Sequence, residues 1–465
     1  NAKDYIVLSG GAGTSLNQIA DSNINLNGSG SNSDSNLSYS TFVSSDTLLL
    51  RVTVSDTPAT VATPSFLGGS TTSLGSAFSA GVNAQNAQGE LATIKTYLTN
   101  NAGNQRLIET AVKSFTPNDK GVNQNNRNTI NSSLTNIQTR LTSIRGNPSS
   151  GAKGFKAVDS SGSLIKISKL KQYASAKTTA SDTSYLDSLK NKNVWGQFIA
   201  NHAKQDNKNG VDGYSSKLFG FSFGIDTKPS DTLTVGISAT IASSQIDSSG
   251  KNKRTDVDSY QLIAYSEKML KKQIFLRGFV GTSFNNYDSK RYSSVIAKTA
   301  EAKYSGQSYF TRLSVGRNYE LEENFTLSPE IATNLTYDTV EDYSESGART
   351  ANLNVQNKNY SMIELEPSFL ISKKIETSKG IFEPNIKLAY AYNFASNPKA
   401  SSANFVGQTA SFQSQAAKIE RGTIRLNTGL SFHDDGAFLI TTNYVLEKRE
   451  SFESHGALIK LDWKF

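Results

Sequence analysis

Hydrophobic and polar residues alternate with period two along most of residues 193–465. In Leu233 to Ile241 the odd positions are Leu233, Val235, Ile237, Ala239 and Ile241, and the even ones are Thr234, Gly236, Ser238 and Thr240. Successive side chains of a strand point to opposite faces, so this segment has one apolar face and one that is small and polar. Phe219, Phe221, Phe223 and Ile225 repeat the pattern against Gly220, Ser222, Gly224 and Asp226. Elsewhere the polar face carries charge. Phe325, Leu327, Ile331 and Leu335 oppose Ser328, Glu330 and Asn334, while Ile363, Leu365, Phe369 and Ile371 oppose Glu364, Glu366 and Ser368. Ile386, Leu388 and Tyr390 oppose Glu383, Asn385 and Lys387, and Ile424, Leu426 and Leu430 oppose Arg421, Arg425 and Asn427. Twelve candidate strands fit into these 273 residues. A membrane-spanning barrel strand takes about 9–11 residues, which leaves the rest for turns and loops. The segments 257–265 and 274–280 alternate less cleanly, and their faces stay open. Pro329, Pro367 and Pro384 fall in mid-strand on the apolar face, where bulges are the expected accommodation.

Upstream of residue 193 the pattern changes. Residues 1–60 hold short extended runs, Tyr5 to Leu8, Ile24 to Leu26, Leu37 to Phe42 and Thr47 to Val54, separated by Gly/Ser/Asn turns, as at the end of a β-helix-like stack. Residues 61–192 read as a helical and polar linker. Helical periods occur in 88–116 and 121–145, where Ile130, Leu134, Ile137, Leu141 and Ile144 recur at steps of four and three on one helix face. Arg140 and Arg145 lie toward the C-terminal end of that helix, where positive charge suits its dipole. Residues 146–192 form a polar connection with a short helix expected around Tyr185 to Leu189.

Composition separates the classes that alternation leaves open. The chain of 465 residues is 36% hydrophobic and 19% charged, with 23 Phe, 19 Tyr and a formal charge of +8. It has no Cys and three scattered His, which excludes disulfides, thiolate metal sites and cysteine nucleophiles, and leads us to expect neither metal nor cofactor. A soluble sandwich also alternates. The barrel is favoured by long strands without an intervening helix, a mixed-charge polar face and aromatic residues near strand ends. Glu330, Glu364, Glu366, Glu383, Lys387, Arg421 and Arg425 are therefore expected to face a polar lumen, the acids matched by the bases. Glu364 and Glu366 share a strand face and could do acid/base work, but a charge pair matched by Arg421, Arg425 or Lys387 is the simpler reading. Gly220-Phe-Ser222-Phe-Gly224 matches a nucleophile-elbow pattern, yet Ser222 sits mid-strand rather than at a strand-to-helix turn, so no enzyme is expected. The lysines lie in loop-like segments, which argues against nucleic-acid binding.

The last strand carries the most specific signal. In Gly456-Ala-Leu-Ile-Lys-Leu-Asp-Trp-Lys-Phe465, Ile459, Leu461, Trp463 and Phe465 project one way, and Lys460, Asp462 and Lys464 the other. With Ser454 and Gly456 ahead of them, Ile459 and Leu461 stand in the register of a motif that resembles the signal read by the outer-membrane barrel-assembly machinery. Edge pairing is its physical basis. The chain as a whole resembles the C-terminal translocator of monomeric autotransporters. The residues carrying this are DTLLLRVTV, the helical NIQTRLTSIR and the strand opening Val194-Trp195-Gly196-Gln197. GIDTKPSDTLTVGIS (Gly224 to Ser238) and YSGQSY (Tyr304 to Tyr309) are similar to rickettsial surface cell antigens. The departure is the polar stretch 146–192, since typical members bring the linker helix closer to the first strand.

The resemblance implies an all-β transmembrane antiparallel barrel of about twelve strands at residues 193–465, preceded by a linker that threads its lumen and by a passenger remnant. It implies type V secretion, with a passenger, expected to be an adhesin, exposed at the surface of a Gram-negative bacterium. Implied partners are outer-membrane lipid and lipopolysaccharide, the barrel-assembly machinery, periplasmic chaperones, the passenger itself and, through it, host-cell receptors. Cleavage inside the pore, as in some autotransporters, would involve Asn131 or Asn136. A passive porin with an N-terminal extension, and an adhesin acting through barrel loops such as 288–303 or 395–415, are the alternatives.

Overall fold

A computed structural model of the chain describes residues 2–9, 37–44, 47–54, 88–101, 104–118, 121–145, 157–158, 164–165, 192–208, 211–357, 359–378, 380–395, 401–409, 411–414, 420–433 and 438–464. The upstream strands are β1 (Ala2–Ser9), β2 (Leu37–Ser44) and β3 (Thr47–Val54). They pair antiparallel in the order β1-β3-β2, a sheet rather than the coil of a β-helix. Only two residues link β2 to β3, a connection that permits an antiparallel hairpin and no parallel crossover. Three helices follow, α1 (Glu90–Asn100), α2 (Gln105–Lys113) and α3 (Val122–Arg145). The expected runs at Ile24 to Leu26 and Tyr185 to Leu189 lie outside the described residues.

The rest is a closed antiparallel barrel of twelve strands. These are β4 (Lys192–Gln205), β5 (Tyr214–Ser230), β6 (Leu233–Ser248), β7 (Lys253–Met269), β8 (Ile274–Ser293) and β9 (Lys298–Arg317). They continue with β10 (Phe325–Val340), β11 (Tyr360–Lys373), β12 (Gly380–Asn393), β13 (Gly422–His433), β14 (Phe438–Arg449) and β15 (Phe452–Lys464). Each strand pairs with its sequence neighbour, and β15 closes on β4 from Phe452↔Gln205 to Lys464↔Asn193. Closure removes every edge, so each strand has a hydrogen-bonding neighbour on both sides within the ring.

The expected bulges at proline are absent. Pro329 pairs with Phe369, Pro367 with Ile331 and Pro384 with Leu430, in registers that do not shift. On the β11–β12 side the ladder skips Glu366 and Pro367 and resumes in the same register at Ser368↔Ala389. A lost N–H is thus absorbed as a gap in one ladder, without an inserted residue.

The outer face is greasy. Phe198, Phe219, Ile237, Ile241, Leu262, Val280, Phe369 and Ile459 are about half exposed, as lipid contact requires. Among the described residues no helix is long and apolar enough to cross a membrane. Both barrel termini, Lys192 and Lys464, lie at one end. The longest connections, 341–359 and 394–421, leave from the other, which marks it as extracellular.

Candidate functional site: the plugged lumen and its outer mouth

Helix α3 lies inside the barrel. Its 24 residues span about 36 Å at about 1.5 Å each, enough to cross a hydrocarbon core of about 30 Å. Its N-terminal end sits at the long-loop end, where Val122 packs with Tyr214, Ile246, Val257 and Tyr287. Its C-terminal half reaches the end that holds the barrel termini, where Arg140 meets Asp462.

The apolar stripe decides which wall the helix leans on. Ile130, Leu134, Ile137 and Leu141 pack against Trp195, Ile263, Tyr265, Phe279 and Phe310, all pointing into the lumen from β4, β7, β8 and β9. This resolves the strands whose alternation was unclear. Residues 257–265 and 274–280 carry apolar side chains on both faces, lipid outside and helix inside, and a two-faced apolar strand has no period-two signal. Three of the inward rings lie over a cross-strand glycine: Trp195 over Gly224, Tyr265 over Gly236 and Phe310 over Gly281. A Cβ at those glycines would come within 2.4, 2.3 and 2.4 Å of the rings, so glycine lets the aromatics lie flat and leaves width for the helix. The side chain of Ile144 lies outside the described residues.

Two ionic clusters hold the helix. At the end with the barrel termini, fully buried Arg140 donates from Nε and Nη2 to Asp226 at 3.0 and 3.2 Å, and from Nη1 to Asp462 at 2.8 Å. Lys460 is 3.3 Å from Asp462, and Asn193 and Tyr265 donate to Asp226 at 3.0 and 3.2 Å. Trp195 Nε1 donates in turn to the Tyr265 hydroxyl at 3.0 Å. Arg140 was read from sequence as a dipole partner; its two acids lie 86 and 322 residues away, and nothing local announces them.

The second cluster lines the opposite wall. Glu364 pairs with Arg127 of α3 and lies 3.3 Å from Arg425; Glu366 lies 2.8 Å from Arg312 and pairs with Arg425. Glu330 is 3.3 Å from Lys387 and 3.4 Å from Arg277, which also binds Glu267 at 2.6 Å. Glu447 is 3.1 Å from Arg425. Lys387 and Arg277 reach the helix itself, at Gln138 (3.2 Å) and Thr142 (2.8 Å), and Arg449 reaches Gln124 (2.8 Å). A cavity of about 120 Å³ separates the polar face of α3 from this wall, and half-buried Glu383 lines it.

Seven lumenal residues were expected. Glu330, Glu364, Glu366, Lys387 and Arg425 come together, and Glu383 stands by the cavity. Arg421 is a correction: it lies just ahead of β13, exposed at the rim, with Nη1 3.5 Å from the Tyr392 hydroxyl. It lies one residue ahead of the strand and is exposed rather than facing the lumen. Arg277, Arg312, Glu267, Glu447 and Arg127 were missed. The first four sit in phase with the buried positions of their strands, so inward parity was the signal available. In β15, Ser454, Gly456, Lys460 and Asp462 are buried toward the lumen, Ile459 is exposed outward and Leu461 is half-buried. The side chains of Trp463 and Phe465 lie outside the described residues.

Above the lumen a second apolar core closes the outer mouth. Leu91, Ile94 and Leu98 of α1, with Val112 of α2 and Phe115, pack against Tyr343, Leu353, Val355, Phe405 and Phe412 of the long loops. Those loops form a small sheet, Tyr343–Ser344, Leu353–Gln356, Ser402–Phe405 and Ser411–Gln413 in that order.

Comparison with known proteins gives the same picture. Residues 194–444 match the family model described as autotransporter beta-domain. The chain is 23% identical over 282 residues to outer membrane protein B of Rickettsia prowazekii, covering 58% of this chain and 17% of that protein. It is 26% identical over 252 residues to outer membrane protein A of Rickettsia conorii, covering 51% of this chain and 12% of that protein. It therefore spans less than a fifth of the length of these curated relatives. The translocator domain of the autotransporter NalP from Neisseria meningitidis shares the fold, with a TM-score of 0.50 at 10% identity, covering 64% of this chain and 96% of that domain.

Proposed function

Since the chain belongs to the autotransporter β-domain family, outer-membrane translocators of type V secretion, we propose that this barrel exports and anchors the segment ahead of Gln88 as a surface adhesin. The observation that carries the reading is the direction of α3, which runs down the lumen from the long-loop end to the end where β4 begins. A chain threaded this way has its upstream part outside. Lumenal charges of both signs keep the pore wettable for an unfolded polypeptide and, once α3 docks, lock it in place. The barrel-assembly machinery and periplasmic chaperones are the proposed partners in biogenesis, lipopolysaccharide the surrounding lipid, and host receptors the targets of the passenger.

The role is non-enzymatic. Ser222 lies mid-β5 with its hydroxyl 2.7 Å from Thr240 Oγ1, away from any strand-to-helix turn. Conductance in planar bilayers tests the reading against a porin. The full chain should be largely blocked and a chain starting at residue 146 should conduct freely; free conductance by the full chain would favour the porin.

A further inference from the structure

The helices at the outer mouth have ends that the barrel completes. Helix α1 starts after Gly89, which has no side chain to cap it. Thr350, in the loop between β10 and β11, does so instead: its hydroxyl accepts from the backbone N–H of Glu90 at 3.1 Å and of Leu91 at 3.4 Å. The same hydroxyl lies 3.0 Å from Glu90 Oε2, and the Thr350 N–H 3.4 Å from it. This is a capping box whose two halves are 260 residues apart. Burial disfavours charge on Glu90, but hydrogen bonds from its own backbone N–H and from Thr350 outweigh that and hold its carboxyl below the usual carboxylate range.

The far end of the pair is finished in the same way. Arg291 of β8, fully buried and held by Glu345 at 2.9 Å, donates to the carbonyl of Ser114, which ends α2, at 2.9 Å. It also donates to the carbonyl of Ala351 at 3.0 Å, tying the helix end to the loop that caps α1. Phe115 lies against its guanidinium, 5.7 Å from the ring centroid. Helices of 11 and 9 residues are too short to persist alone in water.

We propose that the outer mouth of the barrel is a folding template for residues 88–116, which become helical only on reaching it, with Thr350 and Arg291 as positioning residues. Among the described residues the lumen holds one helix, α3, which leaves room for α1 and α2 to cross it unfolded, and the caps that fold them lie at the outer mouth. The resulting clasp closes the mouth and opposes backsliding of α3, whatever lies upstream. The order of events rests on the export reading; the templating does not.

Hydrogen exchange on the full chain, purified in micelles, tests it. In Thr350→Val the first-turn amides of α1 should exchange about fivefold faster, the usual effect of losing an N-cap, while Thr350→Ser stays near wild type. Arg291→Gln should speed exchange in the last turn of α2. Amides of α3 and of the barrel strands, apart from the end of β8 that carries Arg291, should be unchanged in both. Wild-type exchange of α1 in Thr350→Val, or loosening spread through the barrel, overturns the proposal. A tag ahead of Asn1 found in the periplasm would instead remove the export reading and leave the template standing.

Discussion

Arg140→Met probes what holds the plug. The substitution keeps an apolar stem in place of the aliphatic part of the side chain and removes a fully buried guanidinium that serves Asp226 and Asp462. Lys460 still answers Asp462, but among the described residues the hydrogen-bond donors left to Asp226 are the neutral Asn193 and Tyr265. Leaving a buried charge without its partner costs about 3–5 kcal/mol. Against this, burying Ile130, Leu134, Ile137 and Leu141 contributes about 1.5–3 kcal/mol per side chain, or roughly 6–12 kcal/mol in all. The helix should therefore stay docked on average, but open more often by roughly two to nearly four orders of magnitude, at about 1.4 kcal/mol per tenfold. Hydrogen exchange of α3 reads this directly, and brief full-size openings in planar bilayers read it functionally. Adding Asp226→Asn restores charge balance, with Lys460 and Asp462 still paired, and should recover much of the loss. Unchanged exchange of α3 in Arg140→Met would refute the claim that this cluster locks the helix.

Three further outcomes follow from the wall of the barrel. Ile237→Arg, on the lipid face, should cost about 2–4 kcal/mol if the site lies near the bilayer midplane, read as a lowered unfolding midpoint in urea, whereas Ser238→Thr should be tolerated. Gly281→Ala puts a Cβ 2.4 Å from the Phe310 ring and should lose about 1–3 kcal/mol by overpacking, seen in the same titration. Gly456→Ala meets nothing closer than 3.3 Å, so the finished barrel should hold it at nearly normal stability. A drop in membrane yield for Gly456→Ala would then report recognition of the last strand during assembly, and normal yield would contradict that role.

The outer face of the barrel was readable because lipid imposes one simple rule: Phe219, Ile237 and Leu388 must alternate with polar neighbours. Tyr265 and Phe279 escaped that rule because the helix makes their side apolar too. The stripe from Ile130 to Leu141 announced a helix with a buried face, but not the wall it meets. Arg140 and Thr350 were illegible for a different reason. Their meaning lies in partners 86 to 322 residues away, and only the closed ring, with the helix inside it, brings those positions together. Proline followed the same logic, since a continuous ladder on one side of Pro367 compensates for the gap on the other.

Export to the surface is the central claim, and protease digestion of intact bacteria carrying a tag ahead of Asn1 tests it most directly. The tag should be lost while a membrane-protected fragment near residues 193–465 survives. A tag that resists protease until the outer membrane is broken would place the upstream segment in the periplasm and contradict the account.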